Sequence, residues 1–267
     1  MKPTRISPRQ LAKAFNQNAV SIDALLRRFL ESGDPSSTQA LRKATRRLRT
    51  SYSVLPKKLR KGDPIRRYVS VSRKLSKETG KVRDLDTIAA FTAQVAEARD
   101  RRSFASDLHQ LRASSLRGAL VDARELRKTK IPSIDPGLLE KSKINKQLGK
   151  VEKRLENRVD KEFEEFLTTQ EVDVMHALRK DSKRLRHLME LSMKADGTPL
   201  LGRLRSIQDD LGAIRDHDLV IDYLRSRVRL TSTRSLVREE IAKRHARLED
   251  FVTKNRGQGH LVPVAAK

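Results

Sequence analysis

The sequence predicts an all-α protein made of two similar helical bundles, and three observations lead there. Of 267 residues only 11 are glycine and 9 proline, and there is no tryptophan. Leu, Ala, Arg, Lys and Glu dominate, which favours long helices on intrinsic propensity. Hydrophobic residues make up 37%, enough for a helical core but not for a thick sheet sandwich. Finally, two short motifs occur twice, in the same order and at nearly the same separation.

Taken in order, Ser7-Pro8 opens the first helix, because proline suits the first helical turn. Leu11, Phe15, Ile22, Leu25, Leu26 and Phe29 form its apolar stripe to about Glu31. SGDPSS (32–37) is a turn, and a second helix runs from about Ser37 to a break near Pro56. KGDP (61–64) interrupts the chain again, with Asp63 as cap and Pro64 in the first turn. Val71, Leu75, Val82 and Ile88 then keep helical spacing, predicting one long helix that contains Gly80. The rest of that helix and a further one occupy Phe91 to Lys128.

KIPSIDPG (130–137), with two prolines and a glycine, marks the boundary between the halves, about 8–129 and about 137–254. Beyond it, helical patterns cover 138–170, 171–195, 199–229 and 232–254, broken by KADGTP (194–199). Residues 255–267 read as a loose C-terminal tail.

The duplication is the main signal. QALRKATRRLR (39–49) and HALRKDSKRLR (176–186) are identical at seven of eleven positions. GKVRDLDTI (80–88) and GAIRDHDLV (212–220) share Gly, Arg, Asp and Asp in register. The offsets are 137 residues (39 to 176) and 132 residues (80 to 212). A bias toward Arg and Leu supplies the first match by chance more readily than both in order, so the chain reads as an internal repeat.

On a helical wheel the first motif separates cleanly. Leu41, Ala44, Leu48, Tyr52 and Leu55 fall on one side, and Arg42, Lys43, Arg46, Arg47 and Arg49 on the other. In the second copy His176, Arg179, Lys180, Lys183, Arg184 and Arg186 take the cationic arc opposite Leu178, Leu185 and Met189. A basic helix face is most often merely solvated. Here few acidic residues accompany it, and guanidinium forks pair bidentately with phosphate oxygens. Lys plus Arg outnumber Asp plus Glu by 59 to 34, a formal net charge of +25. That self-repulsion is maintained for an anionic partner.

In the second motif Arg83, Asp84 and Asp86 match Arg215, Asp216 and Asp218. Paired carboxylates invite a metal or acid–base role. Ion pairs that pin the basic helices, with Gly80 and Gly212 permitting close helix approach, are the stronger reading. These residues are expected to support the site, with no part in chemistry and no metal.

Together the two motifs resemble the CHAD family, the conserved histidine α-helical domain, over about residues 8–254. The resemblance implies two bundles related by pseudo-twofold symmetry around a central basic cavity. It also implies binding of inorganic polyphosphate, and in some members association with polyphosphate granules. The binding positions it carries over are Gln39, Arg42, Lys43, Arg46, Arg47, Arg49, His176, Arg179, Lys180, Lys183, Arg184 and Arg186. Gln39 departs from the family's histidine, so His176 has no chelating counterpart and is expected to be a hydrogen-bonding or part-time cationic contact. Thr79 replaces the leucine seen as Leu211, which implies looser packing there.

No Glu-x-Glu-x-Lys strand, Walker loop or paired nucleophile and base is present, so binding without catalysis or cofactor is expected. Weak, sequence-independent nucleic-acid binding is the alternative, though stacking aromatics do not interleave with the basic stretches. No apolar run approaches the roughly 20 residues that span a bilayer. The opening MKPTRISPRQ lacks the apolar core of a secretory signal. With no cysteine in the chain, a cytoplasmic setting is expected.

Overall fold

A computed structural model describes residues 5–95, 98–192, 198–227, 231–257 and 260–262. Described residues form α-helices and one 3₁₀ turn, with no strand among them. The helices are α1 (Pro8–Ser32), α2 (Pro35–Val54), α3 (Lys57–Lys61), α4 (Asp63–Val95) and α5 (Ala98–Lys128). After a 3₁₀ turn at Pro136–Leu138 come α6 (Lys141–Thr169), α7 (Val172–Leu191), α8 (Pro199–Arg225) and α9 (Thr231–Asn255). Most of KADGTP, residues 194–197, lies outside the described residues, as do 258–259 and 263–267 of the expected tail.

Local chemistry sets most boundaries. Ser7 and Gln10 close a reciprocal capping box at the start of α1, satisfying two N–H groups the helix cannot. Gly33 ends that helix in the left-handed region at φ 55°, where a Cβ would be strained. Asp34, not Ser37, caps α2 by accepting from the Ser37 N–H at 2.7 Å. The helix therefore starts two residues earlier than its apolar stripe suggests. The short α3 has no buried residue and so left no periodic trace.

Two apolar cores result. The larger joins α1, α2 and α5 to α6, α7 and α9, with Phe15, Phe29, Tyr68, Phe163 and Phe251 fully buried. The smaller gathers Ile88, Phe104, Leu108, Val220, Tyr223 and Leu224. Helices α4 and α8 run through both. Val82 and Ile214 belong to the larger core, Ile88 and Val220 to the smaller. The Arg-Asp-x-Asp segments therefore lie between the cores on both helices. Asp107 of α5 ties the smaller core together, accepting from the Tyr223 hydroxyl at 2.8 Å and from both ends of the Arg227 guanidinium.

Two connecting segments are held by polar contacts. The linker is stitched to α1 by Asn16, whose amide donates to the Ile134 carbonyl at 3.0 Å and accepts its N–H at 2.9 Å. Within the expected tail, residues 261–262 are docked. Leu261 and Val262 are buried in the larger core. Asp160 accepts the Val262 N–H at 2.7 Å, and Arg203 donates to the carbonyls of His260 and Leu261. No helix among the described residues is long and apolar enough to cross a membrane.

Candidate functional site

Helical periodicity divides the cations of α2 into two rows. Leu41, Ala44 and Leu48 are buried in the larger core. Arg42, Arg46 and Arg49 flank that stripe and are half-buried, while Gln39, Lys43 and Arg47 are exposed. On α7, Leu178, Leu185 and Met189 are buried. His176, Arg179, Lys183 and Arg186 are half-buried, and Lys180 and Arg184 are exposed. Seven of the twelve expected residues thus form inner rows and five an outer rim.

The inner rows converge. Burial, then the like charges of Arg42, Arg186, Arg179 and Arg83, push the Arg46 guanidinium down to about 10. Burial and the charges of Arg179, Arg46, Arg83 and Arg186 push the Lys183 ammonium down to about 7. Arg179 is lowered first by burial and then by Arg83 and Arg215. One cationic cluster therefore draws on α2, α4, α7 and α8. Arg49 stands apart, lowered by burial and by Arg73 and Arg184. Burial and the charges of Arg215 and Arg179 also lower His176, disfavouring its imidazolium.

Inside this cluster Arg46 Nε, Arg179 Nε and His176 Nε2 are buried with no hydrogen-bond partner among the described residues, and Arg186 Nε, also without a hydrogen bond, lies 3.7 Å from Glu190. Native proteins rarely leave buried donors unpaired, because each costs roughly 1–3 kcal/mol of desolvation.

The second motif organises the cluster differently from expectation. Arg83 reaches across to Asp216 at 3.2 Å and lies 3.5 Å from Asp84, joining α4 to α8. Asp86 accepts from Arg112 Nε of α5 at 2.6 Å, and Asp218 from Arg244 Nε of α9 at 2.5 Å. Each clasp spans 26 residues. These carboxylates pin α5 and α9, leaving the basic helices unpinned by them. Arg112 also donates to the Gly33 carbonyl at 2.7 Å, closing the end of α1.

Gly80 allows a close contact: a Cβ there would stand 2.8 Å from Arg42 Nη1. Without one, that guanidinium lies across α4 and donates to the Ser76 carbonyl at 3.1 Å. Gly212 has no counterpart to this, since its missing Cβ would meet nothing within 4 Å. Thr79, expected to loosen packing, is fully buried, its hydroxyl donating to the Leu75 carbonyl at 2.7 Å.

Three neighbours escaped sequence reasoning. Asp181, fully buried, pairs with Arg158 of α6 and with Arg184 at 2.8 Å. It occupies the position matched by Ala44, so the duplicated pattern hid it. Arg73 lies over the Tyr52 ring at 5.6 Å beside Arg49, a juxtaposition no local pattern encodes. His187 is buried behind Arg186 and Arg46, and its Nδ1 lies 3.1 Å from Glu190. Among the described residues no three His, Asp or Glu side chains converge on a metal position.

The sequence matches the CHAD domain family over residues 9–225. The fold is similar to the crystal structure of the CHAD domain from the plant Ricinus communis. That likeness has a TM-score of 0.60 at 16% identity, covering 96% of this chain and 90% of that one. No curated protein sequence matches the chain.

Proposed function

We propose that this chain, which belongs to the CHAD domain family, binds inorganic polyphosphate between the inner cationic rows of α2 and α7, without catalysing its turnover. The observation that carries the reading is the set of buried Nε atoms of Arg46 and Arg179 with His176 Nε2, gathered from two helices and without hydrogen bonds. A phosphate chain offers repeating oxygens as acceptors, and its charge relieves repulsion among Arg42, Arg46, Arg83, Arg179 and Lys183. Duplication of the two halves around a central basic cavity belongs to the same proposal. It is supported by the paired clasps Asp86–Arg112 and Asp218–Arg244.

Gln39, Lys43, Arg47, Lys180 and Arg184 form the rim, where attraction is solvent-screened. The rim steers a polyanion toward the inner rows, and the inner rows hold it. Arg83, Asp84, Arg215 and Asp216 set the charge balance at the floor.

The test compares two variants of the intact chain. Replacing Arg42, Arg46 and Arg179 by Gln removes three inner charges, and replacing Lys43, Arg47 and Lys180 by Gln removes three outer ones. Charge-assisted bonds contribute about 1.5–3 kcal/mol each. The inner variant should therefore lose more than roughly a hundredfold in polyphosphate affinity. The outer variant should lose less than roughly tenfold, with a steep salt dependence in the native chain. Equal losses in two folded variants would refute the inner site. Nucleic acid is the rival ligand. At about 150 mM salt, where loose contacts are largely screened, polyphosphate should displace matched-length RNA, and the reverse preference would favour the rival.

A further inference from the structure

Helices α4 and α5 leave a cavity of about 240 Å³ between them, beside the smaller core. Its walls are Leu85, Ala89 and Ala93 of α4 and Ala105 and Leu108 of α5. The buried Thr92 hydroxyl in the wall donates to the Ile88 carbonyl at 3.0 Å, so that wall is effectively apolar. Arg101 and His109 stand exposed at the mouth, Arg112 lies at one end, and no described carboxylate lines the space. The cavity exceeds the roughly 150 Å³ that takes one benzene and falls short of the roughly 300 Å³ of a drug-sized site.

The clasps Asp86–Arg112 and Asp218–Arg244, each spanning 26 residues, give α8 and α9 the same register. Counted from them, Ala89, Ala105 and His109 match Ile221, Val237 and Ile241. The larger side chains are also more enclosed. Ile221 is buried and Val237 and Ile241 are half-buried, whereas Ala89 is half-buried and Ala105 and His109 are exposed. Aliphatic side chains thus stand where α4 and α5 leave space, so the occupant that fits is aliphatic.

We propose that this cavity binds a medium-chain aliphatic carboxylate, its chain lying on Leu85, Ala89, Ala93, Ala105 and Leu108 and its head at Arg101. The Asp86 carboxylate, 2.6 Å from Arg112, repels an anionic head at that end. Arg101 lies about 16 Å from Arg112 along α5 by helical rise, and its five N–H donors serve more than one acceptor. Burial of the chain supplies most of the affinity, and the exposed ion pair sets which way the ligand points. The site is separate from the inner cationic rows and does not rest on the polyphosphate reading.

The experiment titrates octanoate into the native full chain by calorimetry at about 150 mM salt, where loose attraction to the net charge is largely screened. Octanoate should saturate a single site. Octylamine, with the same chain and the opposite charge, should not bind. Ala89→Ile with Ala105→Val installs the side chains of the matched positions and should weaken octanoate by more than roughly tenfold, since the chain loses its place. Arg101→Gln should weaken it roughly two- to fivefold, the range of an exposed ion pair. Should the double variant fail to fold, labelled alanine methyls in the native chain answer the same question by NMR, where octanoate should shift Ala89, Ala93 and Ala105. Undiminished affinity in the filled variant, equal binding of octylamine, uptake without saturation, or no shift at those methyls overturns the inference. Capture of an acidic amphipathic peptide in place of octanoate overturns it too, in favour of a protein partner.

Discussion

Helices α2 and α7 present the same cationic stripe with different chemistry. On α2 the inner row is Arg42, Arg46 and Arg49, all guanidinium. On α7 it is His176, Arg179, Lys183 and Arg186. Arginine keeps its charge under burial because that charge is delocalised and weakly hydrated. Even the crowded Arg46 is lowered only to about 10. At the matched position of α7, similar crowding brings Lys183 to about 7, and burial first disfavours the charge on His176. The α2 side is thus a fixed electrode, whereas on the α7 side burial and like charge hold Lys183 and His176 below their ordinary values. Asp181 reinforces the difference, pairing with Arg184 and with Arg158 of α6, where α2 has Ala44.

The matched clasps offer the largest test of how far the two sets of helices are equivalent. Replacing Arg112 or Arg244 by Leu leaves the half-buried Asp86 or the buried Asp218 without its partner, at a cost of about 3 kcal/mol. Arg112→Leu should cost more in urea unfolding, because Arg112 also holds the Gly33 carbonyl. Equal losses would show that the extra bond contributes nothing.

A pH series separates the electrodes next. Lys183 in the folded chain sits at about 7 against an ordinary lysine value of 10.5. Above that folded value, anion binding must take up a proton, so polyphosphate affinity falls as pH rises through about 7. In Lys183→Arg the curve should flatten, and affinity at about pH 8.5 should rise several-fold. The sign for stability is opposite. The unfolded chain holds the extra proton between about 7 and 10.5, so in the absence of ligand this group makes the fold more stable across that window as pH rises. A pH-independent affinity in the native chain would remove the distinction between α2 and α7.

The glycines give the smallest contrast. Gly212→Ala fills open space in α8 and should stabilise by up to about 1 kcal/mol without changing polyphosphate affinity. Gly80→Ala must push the Arg42 guanidinium off α4, so affinity should drop by roughly two- to fivefold, less than one charge-assisted bond. Calorimetric unfolding together with titration reads both effects. An affinity loss in Gly212→Ala would mean that α8 approaches the ligand more closely than Arg83 and Arg215 suggest.

What was legible follows from range. The Ser7 cap, the long α4 through Gly80 and the break at 130–137 rest on interactions within a few residues, so neighbours in sequence sufficed to find them. The start of α2 at Pro35 was missed by two residues because the Asp34 cap precedes the apolar stripe. The docking of Leu261 and Val262 was invisible, because two apolar residues have no period and their partners on α6 and α8 are distant in sequence. Which face of α2 and α7 is cationic was plain from the wheel. Which cations are inner was not.

The amino-acid order alone determined helical class, the two amphipathic stripes and their matched motifs, since propensity and periodicity are local properties of a chain. Tertiary packing decided that Arg83 meets Asp216, 133 residues away, and that Arg46 and Lys183 share one desolvated space. The reason is electrostatic: a side chain's charge depends on burial and on every neighbouring charge, whatever their separation in sequence.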